Sequence, residues 1–283
     1  MLFMNITCNG KLIDLTTPKI MGILNLTPNS FYDGGQHNNI DAALRQTEKM
    51  ISEGATFIDV GGASSKPGVE EISTNEELKR VLPVIKKMSQ TFPEIFISID
   101  TYRSKVAAQA VAAGAQLVND ISAGNLDKDM LKTVGKLGVP YIAMHMQGTP
   151  QTMQNNAEYD DVLVAVRTFF SEKIKAAHAA GINDIILDPG FGFGKTINHN
   201  FTLLKHLRSL HITGVPLLIG ISRKSMIYKT LGVDVTHALN GTTVLNAVAL
   251  QQGAHILRVH DVKEARETVQ LMEALDASYP INP

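Results

Sequence analysis

A repeated alternation constrains this chain most. Short apolar runs stand at residues 20–24, 57–60, 95–99, 117–118, 141–144, 185–187, 217–221 and 256–259. Segments of helical period fill the intervals, at 38–53, 76–88, 103–113, 128–137, 160–180, 199–210, 236–252 and 262–275. Short continuous apolar runs suit parallel strands buried on both faces, and their alternation with amphipathic helices marks βαβ units. Eight near-equal units with no evident edge strand favour a closed (β/α)8 TIM barrel, an α/β fold, over a doubly wound open sheet. Gly54, Gly114, Gly138 and Gly181 follow helix ends, where a left-handed residue often closes the last turn. Thr74-Asn-Glu-Glu77 has the form of a capping box, and Pro83 is expected to kink or break the helix behind it.

Ahead of the alternation, two apolar stretches flank Asn9-Gly10, a strong signal for a two-residue hairpin. The expected organisation is an N-terminal β-hairpin over 1–17 within the same domain, a barrel over 18–275 and a short tail over 276–283. The hairpin's expected role is packing, at the bottom of the core. A chain of 283 residues with 44% hydrophobic and 19% charged residues buries a full core. A net charge of −1, without long runs of either sign, argues against nucleic acid or a membrane surface as partner. The single cysteine, Cys8, excludes a disulfide framework and a cysteine metal cage. With no long apolar segment and no signal-peptide pattern, a cytoplasmic location is expected.

Barrel enzymes build their sites at the C-terminal ends of the strands. Here those ends read Asn25, Gly61-Gly62, Asp100, Asn119-Asp120, His145, Asp188, Arg223-Lys224, and Arg258 with His260. Asp100, Asn119 and Asp188 would converge on the barrel mouth. Two carboxylates and an amide suit either a flat ligand with N–H donors or an oxygen-bound cation such as Mg²⁺, and acids alone do not decide between them. Any one aspartate reads equally well as a turn residue; the set raises the odds. Arg258 and His260, two apart on one strand, face the same way, and with Asn25 suit a diphosphate. For Lys224 alone a surface ion pair is the better reading, and His145 between two methionines reads as structural. The glycine-rich loops at 26–35 and 61–68 are lid candidates. Gly190-Phe-Gly-Phe-Gly194 lacks the spacing of a phosphate loop; its glycines let Phe191 and Phe193 project or let a ligand approach.

Taken together, Met21-Gly-Ile-Leu-Asn25-Leu-Thr-Pro, Ser30-Phe31, Asp33-Gly-Gly35, Asp59-Val-Gly-Gly62, Ser98-Ile-Asp100-Thr, Asn119-Asp120-Ile, Met144-His-Met-Gln-Gly148, Asp188-Pro-Gly-Phe-Gly-Phe-Gly-Lys195, Ser222-Arg-Lys-Ser225 and Arg258-Val-His-Asp-Val262 resemble the dihydropteroate synthases, over about residues 20–270. The resemblance implies a homodimeric barrel transferase of folate biosynthesis. Such an enzyme joins 6-hydroxymethyl-7,8-dihydropterin diphosphate to 4-aminobenzoate, giving dihydropteroate and diphosphate, with sulfonamides as competing ligands. It implies that Asp100, Asn119, Asp188 and Lys224 are the catalytic, pterin-binding set, with Met144 and Ile121 beside them. It assigns the diphosphate to Asn25, Ser65, Arg258 and His260, with Mg²⁺ as cofactor and Asn25 as its ligand. It assigns 4-aminobenzoate to Phe31, Ser65, Lys66, Pro67, Phe193, Lys224 and Ser225, with Asp33 contributing from the first loop.

Two departures stand out. The family's second loop commonly reads Gly-Gly-Glu-Ser-Thr-Arg-Pro-Gly, whereas this chain has Gly61-Gly-Ala-Ser-Ser65-Lys66-Pro67-Gly68, and Asn29 replaces the usual aspartate of the first loop. Lys66 keeps the charge and loses the bidentate fork. The expected chemistry is a dissociative displacement. Arg258, His260 and Mg²⁺ would neutralise the departing diphosphate, and anionic Asp100 and Asp188 would favour a pterin cation. The alternatives are a methyltetrahydrofolate-binding methyltransferase domain and a non-catalytic pterin-binding relative. The first has no use for the Ser-Arg-Lys-Ser and Arg-Val-His-Asp motifs, and the second needs no diphosphate clamp.

Overall fold

The computed structural model describes residues 4–26, 35–64, 71–153 and 157–278. Its first element is the expected hairpin, β1 (Asn5–Cys8) antiparallel to β2 (Lys11–Asp14). Asn9 and Gly10 turn the chain with φ of 49° and 74°, the positive values that a two-residue hairpin turn needs at both central positions.

Eight parallel strands follow: β3 (Lys19–Asn25), β4 (Phe57–Gly61), β5 (Phe96–Asp100), β6 (Leu117–Asp120), β7 (Tyr141–Met144), β8 (Ile185–Asp188), β9 (Leu218–Ile219) and β10 (Ile256–Val259). They pair in the order β8-β7-β6-β5-β4-β3-β10-β9, and a parallel bridge from Leu187 to Leu217 joins the two ends into a barrel. Each expected strand is present.

The helices are α1 (Gly35–Ser52), α2 (Thr74–Thr91), α3 (Ser104–Ala113), α4 (Met130–Leu137), α5 (Val162–Ala179), α6 (Ile197–Lys205), α7 (Ser225–Leu231), α8 (Leu239–Gln251) and α9 (Val262–Asp276). Four details differ from expectation. Helix α2 is capped by Ser73, whose hydroxyl accepts from the Glu76 amide at 3.2 Å, one residue before the expected cap. It also runs unbroken through Pro83, which is exposed, so water substitutes for the hydrogen bond the ring removes. Helix α7 has no counterpart in the periodicity, because its seven residues are too few to show one. The expected segment at 199–210 divides into α6 and a 3₁₀ stretch, Leu207–Thr213.

Strand parity then positions everything else. Phe57, Leu117, Ile142, Ile186, Leu218 and Ile256 point into the lower barrel and pack there with Ile6, Cys8, Ile13 and Leu15 of the hairpin. The hairpin therefore plugs the bottom, as expected. Their neighbours Ile58, Val118, Ala143, Leu187, Ile219 and Leu257 point outward and form the main core with the helices. Side chains two residues further along each strand face inward again, one layer higher. Those positions are Asp59, Asn119, Met144, Asp188, Gly220 and Arg258. The upper layer is where the apolar filling stops.

Candidate active site

Asp100, Asn119, Ile121, Met144, Asp188, Phe193, Lys224 and Arg258 line one recess at the C-terminal ends of the strands, together with Gly190, Phe191 and Gly220. Eight of the residues singled out from sequence are thus brought to one place. Met144, Ile121 and Phe193 pack with Met146 and Met153 as its apolar side. The ammonium of Lys224 sits 4.2 Å from the centre of the Phe193 ring, a cation–π contact of roughly 1 kcal/mol. Gly192 at φ 81° makes this approach possible: a Cβ there would stand 3.3 Å from Lys224 Cδ. Asn25, Ser225 and His260 stand at the rim rather than in the recess.

Arg258 is the hub of the polar floor. Its Nε donates to Asp59 Oδ2 at 2.6 Å and its Nη2 to Asp100 Oδ2 at 2.7 Å. Asn119 Nδ2 donates to the same Asp59 Oδ2 at 2.8 Å. One guanidinium therefore serves two carboxylates, and the buried cluster is short of positive charge. Burial, opposed by Arg258 and aided by Asp59, Glu77 and Asp120, pushes the pKa of Asp100 up to about 7. Against the expectation of an anionic Asp100, its carboxyl is thus held well above the ordinary carboxylate range. Burial works against the charge on Arg258, but Asp59 and Asp100 outweigh it and hold the guanidinium above its ordinary value.

Asp188 accepts from the Gly190 amide at 2.8 Å. Burial raises its pKa, against that amide and the charges of Lys224, Arg258 and Lys195. Burial and Arg258 lower the pKa of Lys224 to about 8, with Asp188 and Asp100 opposing. Lys224 is thus a cation poised near neutrality, facing two acids, and not a surface ion pair. Arg223 is the residue with that fate: its Nε and Nη2 hold Asp261 at 2.9 and 2.5 Å. Asp120 faces outward, taking Tyr141 Oη at 2.6 Å and the turn amides of Ser122 and Gly124.

His260 Nδ1 lies 3.0 Å from Ser222 Oγ. The imidazole reaches solvent, yet the desolvating cleft together with Arg258 and Arg223 lowers its pKa to about 4. The shift favours a neutral ring, which offers a hydrogen bond where the sequence suggested a charge. His145 is buried with its ring edge-on to Phe169 at 4.9 Å between centroids, the structural role expected of it.

A model of the pterin binding enzyme family matches residues 21–260. The dihydropteroate synthase of Escherichia coli K12 is 45% identical over 273 residues, 96% of each chain. A Yersinia pestis dihydropteroate synthase solved with a sulfonamide drug superposes with a TM-score of 0.91 at 45% identity, covering 97% of this chain and all of that one. The Xanthomonas albilineans enzyme solved with 4-aminobenzoic acid gives a TM-score of 0.92 at 38% identity, over 98% of this chain and all of that one. The chain belongs to the dihydropteroate synthase family of pterin-binding enzymes.

Within this dihydropteroate synthase family chain, Asp59 is the residue that sequence reasoning missed. It is fully buried and touches two site residues. Reading only the last residue of each strand hides it; parity from Phe57 would have found it. Phe31, Asp33, Ser65, Lys66 and Pro67, and the departure at Asn29, lie outside the described residues. So do residues 27–34 of the first lid candidate and 65–68 of the second.

Among the described residues there is no group of three or more His, Cys, Asp or Glu that could hold a metal ion. A Cβ added at Gly61 would lie 3.6 Å from Asn25 Oδ1 and 3.7 Å from Asp100 Oδ2, so an amide oxygen and a carboxylate oxygen flank one open spot at the rim. One or two protein oxygens, completed by water and substrate phosphate, is how Mg²⁺ is ordinarily held. The donors fit a substrate-borne Mg²⁺. Among the described residues no helix is long and apolar enough to cross a membrane.

Proposed function

We propose that this chain condenses 6-hydroxymethyl-7,8-dihydropterin diphosphate with 4-aminobenzoate to give 7,8-dihydropteroate and diphosphate. One observation carries the reading: Asp100, Asn119, Asp188 and Lys224 converge with Arg258 on one recess, in a chain whose relatives bear the name of that synthase. A pterin edge presents N–H donors, and the acids and amide present matching acceptors. Asn25, Arg258 and His260 hold the diphosphate at the rim. Phe193, Lys224 and Ser225 face 4-aminobenzoate, with Phe31, Ser65, Lys66 and Pro67 contributing by resemblance. Sulfonamides compete for this second site.

The bond between the pterin methylene carbon and the diphosphate oxygen breaks first, and its electron pair leaves with the diphosphate. Arg258 stabilises the departing charge, and His260 donates or accepts a hydrogen bond there. When bound, Mg²⁺ supplies further charge neutralisation, with Asn25 Oδ1 as its protein ligand. The positive charge left on the methylene spreads into the electron-rich ring, where Asp188 and ionised Asp100 favour it. The arylamine nitrogen then bonds to that carbon and releases its proton to water. Chains in solution pair as homodimers in this reading, supported by the exposed Leu231, Val233, Val235 and Val244 around α7 and α8. The location is the cytoplasm.

The test is Mg²⁺-dependent diphosphate release measured with and without 4-aminobenzoate. Full-rate release that needs the arylamine and yields dihydropteroate is the expected result. No dihydropteroate under any condition would sink the reading.

A further inference from the structure

Lys195 closes the sequence motif that carries Asp188 and Phe193, yet the chemistry above gives it nothing to do. It is 4% exposed, one of the most deeply buried cations in the molecule. Among the described residues it makes no ion pair. Its Nζ instead donates to three backbone carbonyls: His145 at 3.1 Å, Gly190 at 3.0 Å and Phe193 at 3.0 Å. Burial lowers its pKa to about 7, with Asp188 opposing; in its ammonium form it has three N–H donors, and all are used. Three carbonyl dipoles converging on one point form a cation site, here filled by a tethered ammonium.

Those carbonyls belong to the two segments that shape one wall of the recess. His145 follows β7, and Gly190 and Phe193 lie in the turn after β8. The turn approaches β7 so closely that a Cβ on Gly190 would stand 2.0 Å from the His145 carbonyl oxygen. Around the ammonium, Gly192 donates to Asn200 Oδ1 at 2.8 Å, and Tyr159 Oη donates to the Gly194 carbonyl at 2.8 Å. These bonds hold the outside of the turn. Inside the turn the Phe193 amide donates to the Gly190 carbonyl at 3.1 Å, and among the described residues Lys195 is the donor to the Phe193 carbonyl; Phe193 carries the ring on which Lys224 rests.

The geometry points to Lys195 as a positioning residue, whose ammonium fills a carbonyl cage and thereby sets Phe193 as the wall of the second-substrate site. A neutral side chain of equal length would fill the space and take this donor from all three carbonyls, of which Gly190 keeps the Phe193 amide at 3.1 Å. The turn would then relax outward, moving Phe193 and loosening Lys224. Asp188 takes its position from β8 and the Gly190 amide, and feels Lys195 through charge rather than through a direct bond. Loss of the ammonium therefore acts more strongly on 4-aminobenzoate than on the pterin. That selectivity rests on the function proposed above; the cage itself does not.

The experiment uses the full chain with Lys195→Ala. The KM for 4-aminobenzoate rises at least about tenfold, while the Kd for the pterin diphosphate changes less than about threefold. Ammonium or methylammonium chloride on the order of 0.1 M restores most of the lost KM by occupying the emptied cage, and tetramethylammonium chloride does not. Hydrogen exchange of the 189–194 amides is faster in the variant and slows again with ammonium. If wild-type chain makes no dihydropteroate, the functional reading fails, while the exchange data still judge the cage. An unchanged KM, equal weakening of both substrates, or indifference of KM and exchange to ammonium overturns the inference. A variant that folds only with ammonium supports it. If the variant folds in neither buffer, Lys195→Gln, which retains two donors, is measured instead, and the absence of a selective KM effect there overturns it.

Discussion

Asp59 accepts from Arg258 Nε at 2.6 Å across the barrel mouth, and both side chains belong to the same inward layer of the barrel. The contact fixes the guanidinium whose other arm reaches Asp100. Asp59→Asn preserves shape and removes the charge that holds both Arg258 and Asn119. A hydrogen bond to a buried charged group is worth about 1.5–3 kcal/mol, so kcat/KM falls roughly 10- to 100-fold. Steady-state kinetics checks this, with circular dichroism to establish that the variant folds. Wild-type kcat/KM in a folded Asp59→Asn chain would falsify the role of Asp59.

The two titrations in the recess predict a bell-shaped profile. Asp100, raised to about 7, accepts hydrogen bonds from the pterin more strongly when ionised, so binding strengthens as pH rises through that value. Lys224, lowered to about 8, loses its charge as pH rises further. The profile of kcat/KM therefore climbs near pH 7 and declines beyond about pH 8, with apparent values that belong to the coupled cluster. Calorimetry of pterin diphosphate binding at pH 6.5, in buffers of different ionisation enthalpy, detects the proton released. A flat profile from about pH 6 to 9 contradicts the assignment.

Removal of either central group is expected to be severe. Asp188→Ala and Lys224→Ala each lower turnover by at least about 10³-fold, the scale associated with lost preorganised charge. Lys66→Arg restores the family's usual residue and retains activity. Product formation followed by chromatography separates these cases; near-normal rates in either alanine variant refute the site.

Gly190 and Gly138 make a controlled pair. Both have positive φ, 68° and 65°, so alanine at either costs backbone strain of about 1–2 kcal/mol. At Gly138 nothing lies within 4 Å of an added Cβ, whereas at Gly190 it meets the His145 carbonyl oxygen at 2.0 Å. Urea denaturation should show Gly190→Ala losing at least about 2 kcal/mol more than Gly138→Ala. Equal losses mean that the turn after β8 yields more easily than its packing indicates.

The barrel was legible because buried parallel strands and amphipathic helices write two different periods into the chain. The recess was legible at Asp100, Asn119, Asp188 and Arg258 because strand ends are where polar residues interrupt apolar runs; Lys224, which alone read as a surface ion pair, entered only through the family resemblance. Asp59 was hidden because it lies inside a run, flanked by Ile58 and Val60, and only inward parity distinguishes it from a stray acid. Helix α7 was too short to reveal a period. The state of His260 was beyond reach for a different reason: its pKa depends on Arg258 and Arg223, which come near it only in three dimensions.

Arg258 and Asp59 stand 199 residues apart, and β10 reaches them only by docking between β3 and β9. Pairings of such high contact order form late, since loop-closure entropy must be met before they contribute. A folding intermediate that lacks β10 therefore holds Asp59 and Asp100 without their shared cation, and two unneutralised carboxylates resist burial. The same arginine that lines the recess thus makes closure of the barrel conditional on arrival of the last strand. The floor of the recess and completion of the fold depend on one guanidinium.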